Sequence, residues 1–190
     1  NVNVLISDDG LQHYALKRDI EVIVIDGSRK FGNGLPLPSG PLRESKKRIH
    51  ECDFAVINGS EKLDLSIPTI NMTLVGEIFH NLSNPGHTCN VNELWGRDVA
   101  AIAGIGNPER FFLHLESLGL KPKTHSFPDH HGYTISDITS IEQDVILMTE
   151  KDAVKCPIVS GKECWFLPVH AEFDGNLITK IIEKIKTYRG

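Results

Sequence analysis

The chain has 190 residues, 40% of them hydrophobic and 24% charged, which is ordinary composition for a globular protein of one domain or one and a half. The net charge of −5 argues against a general nucleic-acid-binding protein, and no run approaches the ~18 apolar residues of a transmembrane helix. The four cysteines are widely separated and lack zinc spacing, so we expect reduced, buried thiols at Cys52, Cys89, Cys156 and Cys164.

The first predicted strand ends in a pair of carboxylates. Residues 4–6 are apolar and are followed by Asp8 and Asp9, and then by Gln12 and His13 in a short turn or helix. Ligands bind at the carboxyl ends of strands in open α/β sheets, and Mg²⁺ prefers one or two carboxylates together with phosphate oxygens. The pattern therefore indicates a Mg²⁺ site, with Gln12 and His13 as supporting polar groups. The alternative is that one aspartate caps a turn while the other is solvated.

Two further strands are predicted in the first third of the chain, at residues 20–26 and 54–58, with a helix at 45–51 between them. The strand at 20–26 is apolar on both faces, as buried parallel strands are. Three short apolar strands at this spacing predict an α/β sheet.

A long loop at residues 31–44 separates the second strand from the helix. It is rich in glycine and proline, which excludes a regular element, and it ends in Arg43 and Glu44. The planar guanidinium of an arginine matches phosphate oxygens, so Arg43 is a candidate phosphate ligand. Taken alone, the loop favours a surface ion pair between Arg43 and Glu44 or another acid.

The sequence changes character near residue 69. Residues 69–98 alternate weakly and contain many asparagines, which predicts an extended linker or β-ribbon. A second α/β unit then begins with a strand at 99–103. Its later elements are predicted as helices at 134–142 and 177–188 and strands at 145–149 and 164–169.

The turn at residues 104–108 leads into a helix with Asn107 as its cap, Pro108 at its first position and Gly119 at its end. The turn resembles a dinucleotide-binding loop only superficially, because the G-x-G-x-x-G pattern fails at Arg110. We favour a turn built for close packing over an anion site.

Two later loops carry candidate chemistry. In the first, one histidine of His130 and His131, oriented by Asp129, fits a general acid–base group or a phosphate contact, with simple loop hydrogen bonding as the alternative. In the second, Lys151 follows the strand at 145–149 and is a candidate for a phosphate contact. There we favour a structural ion pair at the start of a helix.

Taken in order, six sequence blocks resemble the tetraacyldisaccharide 4'-kinases of lipid A biosynthesis. The blocks are DDGLQH at 8–13, RD at 18–19 with ID at 25–26, FGNG at 31–34 with LPSGPLRE at 37–44, AGIGNPERFF at 103–112, FPDHH at 127–131 and MTEKDAVK at 148–155. The resemblance covers nearly the whole chain and the latter part of the family's length.

The resemblance implies a P-loop kinase that transfers the γ-phosphate of ATP, with Mg²⁺, to the 4'-hydroxyl of a tetraacylated disaccharide 1-phosphate. This substrate is a lipid A precursor glycolipid, and the implied location is the cytoplasmic face of the bacterial inner membrane, in contact with the membrane surface. The residues it assigns are Asp8 and Asp9 at the metal, Gln12, His13 and Arg43 at substrate or phosphate, and Asp129 and His130 in catalysis, with His131 as the alternative histidine.

The implied domains are the Walker B part of a P-loop kinase domain at 1–72, a linker at 73–98 and a smaller C-terminal α/β domain at 99–190. The family's Walker A loop, its catalytic aspartate base and its membrane-anchoring helix have no counterpart in this sequence. The phosphate-cradling loop does most of the positioning in phosphoryl transfer, so we expect the 190 residues alone to be inactive as a kinase. The alternative function is a nucleotide- or phosphate-binding module without kinase activity.

Overall fold

Ten strands and four α-helices make up the computed structural model, which describes residues 3–188. The strands are β1 (Val22–Asp26), β2 (Phe54–Asn58), β3 (Thr69–Val75), β4 (Ile78–Asn81), β5 (Thr88–Asn90), β6 (Val99–Ala103), β7 (Lys123–Ser126), β8 (Val145–Thr149), β9 (Glu163–Leu167) and β10 (His170–Phe173). The α-helices are α1 (Pro108–Ser117), α2 (Ile135–Thr139), α3 (Glu150–Ala153) and α4 (Leu177–Tyr188), and two 3-10 helices cover Lys46–Glu51 and Val91–Leu94.

The described residues divide into two units. The first contains the residues up to Leu74 and those from Ala171 onward, and the second contains Val75–His170. This division differs from the predicted one, in which 73–98 was a linker and 99–190 a single domain. Within the predicted linker, β4 carries the fully buried Phe79 into the core of the second sheet.

The first sheet has the strand order β1-β2-β3-β10, and β1, β2 and β3 are parallel. Successive residues of a strand point to opposite faces, so the continuous apolar run of β2 supplies both cores. Phe54 and Val56 pack with Leu177 of α4 on one face, while Ala55 and Ile57 pack on the other. This packing explains why residues after Ala171 belong to the first unit, since α4 covers the sheet with its apolar side.

The predicted strand at residues 4–6 is wrong. The structure assigns no strand there, and the side chains of Leu5 and Ile6 are 78% and 90% exposed. An apolar run becomes a strand only when a neighbouring strand pairs with its backbone, and the first sheet of the described residues begins with β1.

The second sheet has the order β5-β4-β9-β8-β6-β7. Strands β9, β8, β6 and β7 are parallel, whereas β4 runs antiparallel to both β9 and β5. Strands β6 and β8 are buried on both faces, with α1 on one side and α2 on the other. The carboxyl ends of β6, β7 and β8 therefore share one edge, from which the loops at 104–107 and 127–134 and the helix α3 begin.

The chain crosses between the units at two adjacent points. Gly76 follows β3, and a Cβ on it would lie 2.4 Å from the carbonyl oxygen of Pro168, which precedes β10. Strands β3 and β10 are also neighbours in the first sheet. Only glycine fits at position 76, because a Cβ at that distance would overlap the backbone.

Three of the four cysteines are buried, as predicted, namely Cys52, Cys89 and Cys164. Burial raises the pKa of Cys89 and Cys164 to about 11, which keeps both thiols protonated near neutral pH. Within residues 3–188, no helix combines the length and the apolar character needed to cross a membrane.

Candidate functional site

Three predicted site residues of the first unit meet in one polar network. The Nη1 atom of Arg43 donates to both carboxylate oxygens of Asp9 at 2.7 Å and lies 3.4 Å from Oε1 of Gln12. Gln12 Nε2 in turn donates to Oε1 of Glu44 at 2.6 Å. The surface ion pair that the loop sequence favoured for Arg43 is therefore present, with Asp9 as the acid.

A second layer of charges supports this network and was missed by sequence reasoning. Arg48 pairs with Glu21 at 2.7 Å and lies 3.6 Å from Glu44, and Glu21 also binds Arg18 at 2.7 Å. Arg18 reaches the carbonyl oxygen of Gly10. These charges connect the segment after Asp9 to the segment after Arg43. Hydrogen bonding to Glu21 raises the pKa of Arg48.

The loop at 31–44 is shaped by close backbone contacts. The Leu37 amide donates to the carbonyl of Leu42 at 2.8 Å, and Asn33 Nδ2 donates to Ser39 at 2.7 Å. A Cβ on Gly40 would lie 2.3 Å from the carbonyl oxygen of Leu35, so this position accepts only glycine. These contacts fix the conformation of the loop that leads into Arg43.

The chemistry of Asp8 and Asp9 fits Mg²⁺ better than zinc. Among the described residues, no group of three or more His, Cys, Asp and Glu side chains could hold a metal ion. Mg²⁺ needs no such cage, because one or two carboxylates and phosphate oxygens suffice. Asp9 is engaged by Arg43 through both oxygens, and Asp8, Asp9 and His13 are all exposed. The metal role of the two aspartates and the binding role of His13 stay predictions.

In the second unit, the loop with Asp129 and His130 continues along the end of β6. The His130 amide donates to the carbonyl of Gly104 at 3.0 Å and also to Oδ1 of Asp129 at 3.0 Å. His130 has a φ of 60°, and its side chain is 91% exposed. Its Nε2 lies 4.0 Å from Oδ2 of Asp129, which is too long for a hydrogen bond. Asp129 therefore braces the backbone of His130 rather than its ring.

His131 has a different environment from His130. Its ring packs against Phe127 and Tyr133, with centroid distances of 4.8 and 5.0 Å. Its Nε2 lies 3.1 Å from Oδ2 of Asp137, which also accepts hydrogen bonds from Thr134. His131 thus holds the loop in place, while the ring of His130 faces solvent.

A buried carboxylate lies beneath this loop. Asp152 has no exposed surface; it accepts from the Gly104 amide at 3.2 Å and from the Thr149 hydroxyl at 2.6 Å. Lys155 Nζ is 3.5 Å away. The favoured ion pair at this helix start exists, but its cation is Lys155 rather than Lys151. The T-x-x-D spacing after an apolar strand was the signal for this cap.

The turn after β6 is closely packed, in agreement with the favoured interpretation. A Cβ on Gly104 would lie 3.0 Å from the hydroxyl oxygen of Tyr133 and 3.2 Å from the carbonyl oxygen of Pro128. Burial and the neighbouring Asp152 carboxylate raise the pKa of Tyr133, so its hydroxyl stays protonated.

Comparison with known proteins identifies the family. The family model described as LpxK, tetraacyldisaccharide-1-P 4'-kinase, matches residues 1–186. The chain belongs to this family. The tetraacyldisaccharide 4'-kinase of Methylobacillus flagellatus is 49% identical over 183 residues, which are 96% of this chain and 54% of the relative. That of Dechloromonas aromatica is 47% identical over 188 residues, 97% of this chain and 56% of the relative.

A solved structure supports the same conclusion about the fold. The crystal structure of the "apo" form of LpxK from Aquifex aeolicus in complex with ATP is 28% identical, with a TM-score of 0.69, over 93% of this chain and 56% of that chain. The predicted α/β class is confirmed. The chain spans about half the length of the LpxK relatives that it matches.

The contact between Asp137 and His131 leads to a testable prediction about the pH dependence of stability in this LpxK-family chain. The Thr134 amide, the Thr134 hydroxyl and His131 lower the pKa of Asp137 from its ordinary 3.8. A carboxylate with a lowered folded-state pKa stabilises the fold above its unfolded pKa, and this stabilisation is lost as the pH falls through the folded pKa. We expect Asp137→Asn to lower the melting temperature at pH 6, and the difference from the parent chain to shrink below pH 3.8.

Thermal unfolding followed by circular dichroism measures this difference. Asp144→Asn is the matched control, since the Asp144 side chain is 87% exposed and should affect the melting temperature little at either pH. A deficit of Asp137→Asn that stays constant from pH 6 to the acid limit would contradict the assignment.

Proposed function

We propose that the chain is part of an ATP-dependent kinase that phosphorylates the 4'-hydroxyl of tetraacyldisaccharide 1-phosphate during lipid A biosynthesis. The observation that carries the proposal is the family match over residues 1–186. The contact of Arg43 with Asp9 and Gln12, which lie 34 and 31 residues earlier in the chain, supports it because these residues have matching positions in the family's motifs.

In the first unit, Asp8 and Asp9 would hold Mg²⁺, and Gln12, His13 and Arg43 would contact phosphate or substrate. When held there, Mg²⁺ would supply positive charge beside the phosphates. The Arg43–Asp9 ion pair is exposed, and exposed ion pairs are weak in water. A phosphate can therefore replace Asp9 as the partner of the guanidinium. Arg43 would then be available to bind phosphate, and Asp9 to hold the cation.

In the second unit, we assign the catalytic role to His130, with Asp129 as its support. The exposed ring of His130 is carried by a backbone whose amide donates to both Gly104 and Asp129. His131 is committed to Asp137 and to the aromatic rings beside it. An imidazole at this place contributes by exchanging a proton with, or donating a hydrogen bond to, an oxygen of the reacting groups.

We also propose that the kinase works at the cytoplasmic face of the bacterial inner membrane, where its glycolipid substrate lies. The side chains of Leu35 and Leu37 are 50% and 65% exposed on the constrained loop at 31–44. Lys46 follows the same loop and lies 4.9 Å from the ring centroid of Phe31. Exposed leucines on a loop that is followed by a lysine suit the headgroup region of an anionic bilayer.

The first test concerns His130 in the whole enzyme that contains this chain. His130→Ala should lower kcat by about 100-fold, since a general acid–base contact of the transition state is lost. The KM for ATP should change by less than about twofold. Steady-state kinetics with ATP and tetraacyldisaccharide 1-phosphate measure both values. His131→Gln is the control variant at the neighbouring position. It should lower the melting temperature and have little effect on kcat. If His131→Gln lowered kcat and His130→Ala did not, the catalytic role would belong to His131.

The second test concerns the 190 residues by themselves. No phosphate-cradling loop of the form G-x-x-x-x-G-K-[ST] occurs in this sequence, so we expect no ATP-dependent phosphorylation of the disaccharide by the isolated chain. Product formation with radiolabelled ATP would refute this expectation. Binding of ATP without product would instead support the alternative of a nucleotide-binding module.

The third test concerns the membrane. In flotation with vesicles of phosphatidylethanolamine and phosphatidylglycerol, the isolated chain should bind, and Leu35→Ser/Leu37→Ser should bind about tenfold more weakly. Leu113→Ser is the matched control, because Leu113 is 62% exposed on α1. Equal vesicle binding by the parent chain and the double variant would exclude this loop as the contact.

A further inference from the structure

Gly104 is held by hydrogen bonds on both sides of its Cα atom. Its amide donates to Oδ1 of Asp152 at 3.2 Å, and its carbonyl accepts from the amide of His130 at 3.0 Å. The carboxylate of Asp152 is thus joined to the backbone of His130 through a single residue. All three residues belong to the second unit.

The Asp152 carboxylate, at the start of this series of hydrogen bonds, has a fixed position. Asp152 is completely buried, and its other oxygen accepts from the hydroxyl of Thr149 at 2.6 Å. Lys155 supplies a cation at 3.5 Å. A buried carboxyl group with several partners adopts one position, because moving it would leave its oxygens and their donors unsatisfied.

The His130 end of this series of hydrogen bonds is less constrained. The side chain of His130 is 91% exposed, so its ring has little packing to hold it. Its place is set by its backbone, which has a φ of 60° and is bonded to Gly104 and to Asp129. A shift of Gly104 therefore moves the ring of His130.

We propose that Asp152 is a positioning residue for the phosphoryl-transfer reaction, which holds Gly104 and through it the backbone that presents the His130 ring. Asp152 cannot contact substrate, because no part of it reaches the surface. This inference rests on the proposed catalytic role of His130. Displacements of about 1 Å in a catalytic group can cost about 100-fold in rate, which gives the scale of the effect.

The experiment is a double-mutant cycle in the whole enzyme. Asp152→Asn keeps the shape but loses the charge, and Asp152→Ala removes the acceptors. Both should lower kcat by about tenfold or more while the KM for ATP changes by less than about twofold. In a His130→Ala background neither should lower kcat further, because the group that Asp152 positions is gone.

Gln143→Ala is the matched control for lost stability. Gln143 is also a buried polar residue of this sheet, bonded to Asp98 at 3.2 Å, but it precedes β8 rather than following it. It should lower the melting temperature without lowering kcat. An equal drop in kcat for Asp152→Asn with and without His130 would overturn the proposal, as would unchanged kcat in Asp152→Asn and Asp152→Ala.

A second measurement keeps the inference separate from the proposed function. Amide hydrogen exchange in the 190-residue chain should be about fivefold faster at Gly104 and His130 in Asp152→Asn, and in the milder Thr149→Val, than in Gln143→Ala. If His130→Ala alone leaves kcat unchanged, the proposed role of His130 fails, and this exchange measurement then decides the positioning by itself. Unchanged exchange at both amides overturns the inference.

Discussion

A carboxylate with no exposed surface holds the carboxyl edge of the second sheet together. Burying an ionised group is costly unless charges and donors surround it, and Asp152 satisfies this condition with Gly104, Thr149 and Lys155. These partners come from the turn after β6, from the end of β8 and from the segment after α3. One charge therefore sets the geometry of three backbone segments, and the loop with His130 is built on the first of them.

The two groups of candidate residues depend on different physics. In the second unit, buried polar contacts and packed rings make the support of His130 rigid, with Phe127, His131 and Tyr133 in mutual contact. In the first unit, Asp9 and Arg43 are 70% and 60% exposed and compete with water for their contact. Rigid support suits a group whose position decides a rate, whereas an exposed pair suits residues that exchange one ionic partner for another.

Local sequence patterns predicted the elements that are determined locally. The apolar runs of β2, β6 and β8 and the amphipathic helix α4 appear with the predicted bounds, because burial on both faces or on one side leaves a clear pattern. Pairing between distant segments was not predictable in this way. The run at 4–6 has the composition of a strand without the pairing, and β4 and β5 joined a sheet whose other strands lie far along the chain. The same limit applies to the site, where the motifs identified Arg43 and Asp9 but not the contact between them.

The two adjacent crossings make the second unit an insertion within the first. Gly76 and Pro168 nearly touch, and β3 and β10, on either side of the inserted segment, are neighbours in one sheet. Insertions are tolerated best where the two ends of the inserted segment lie close together. The surrounding domain is then interrupted at a single place. The loop that carries His130 therefore lies within the inserted segment, whereas Asp9 lies in the part of the chain that the insertion interrupts.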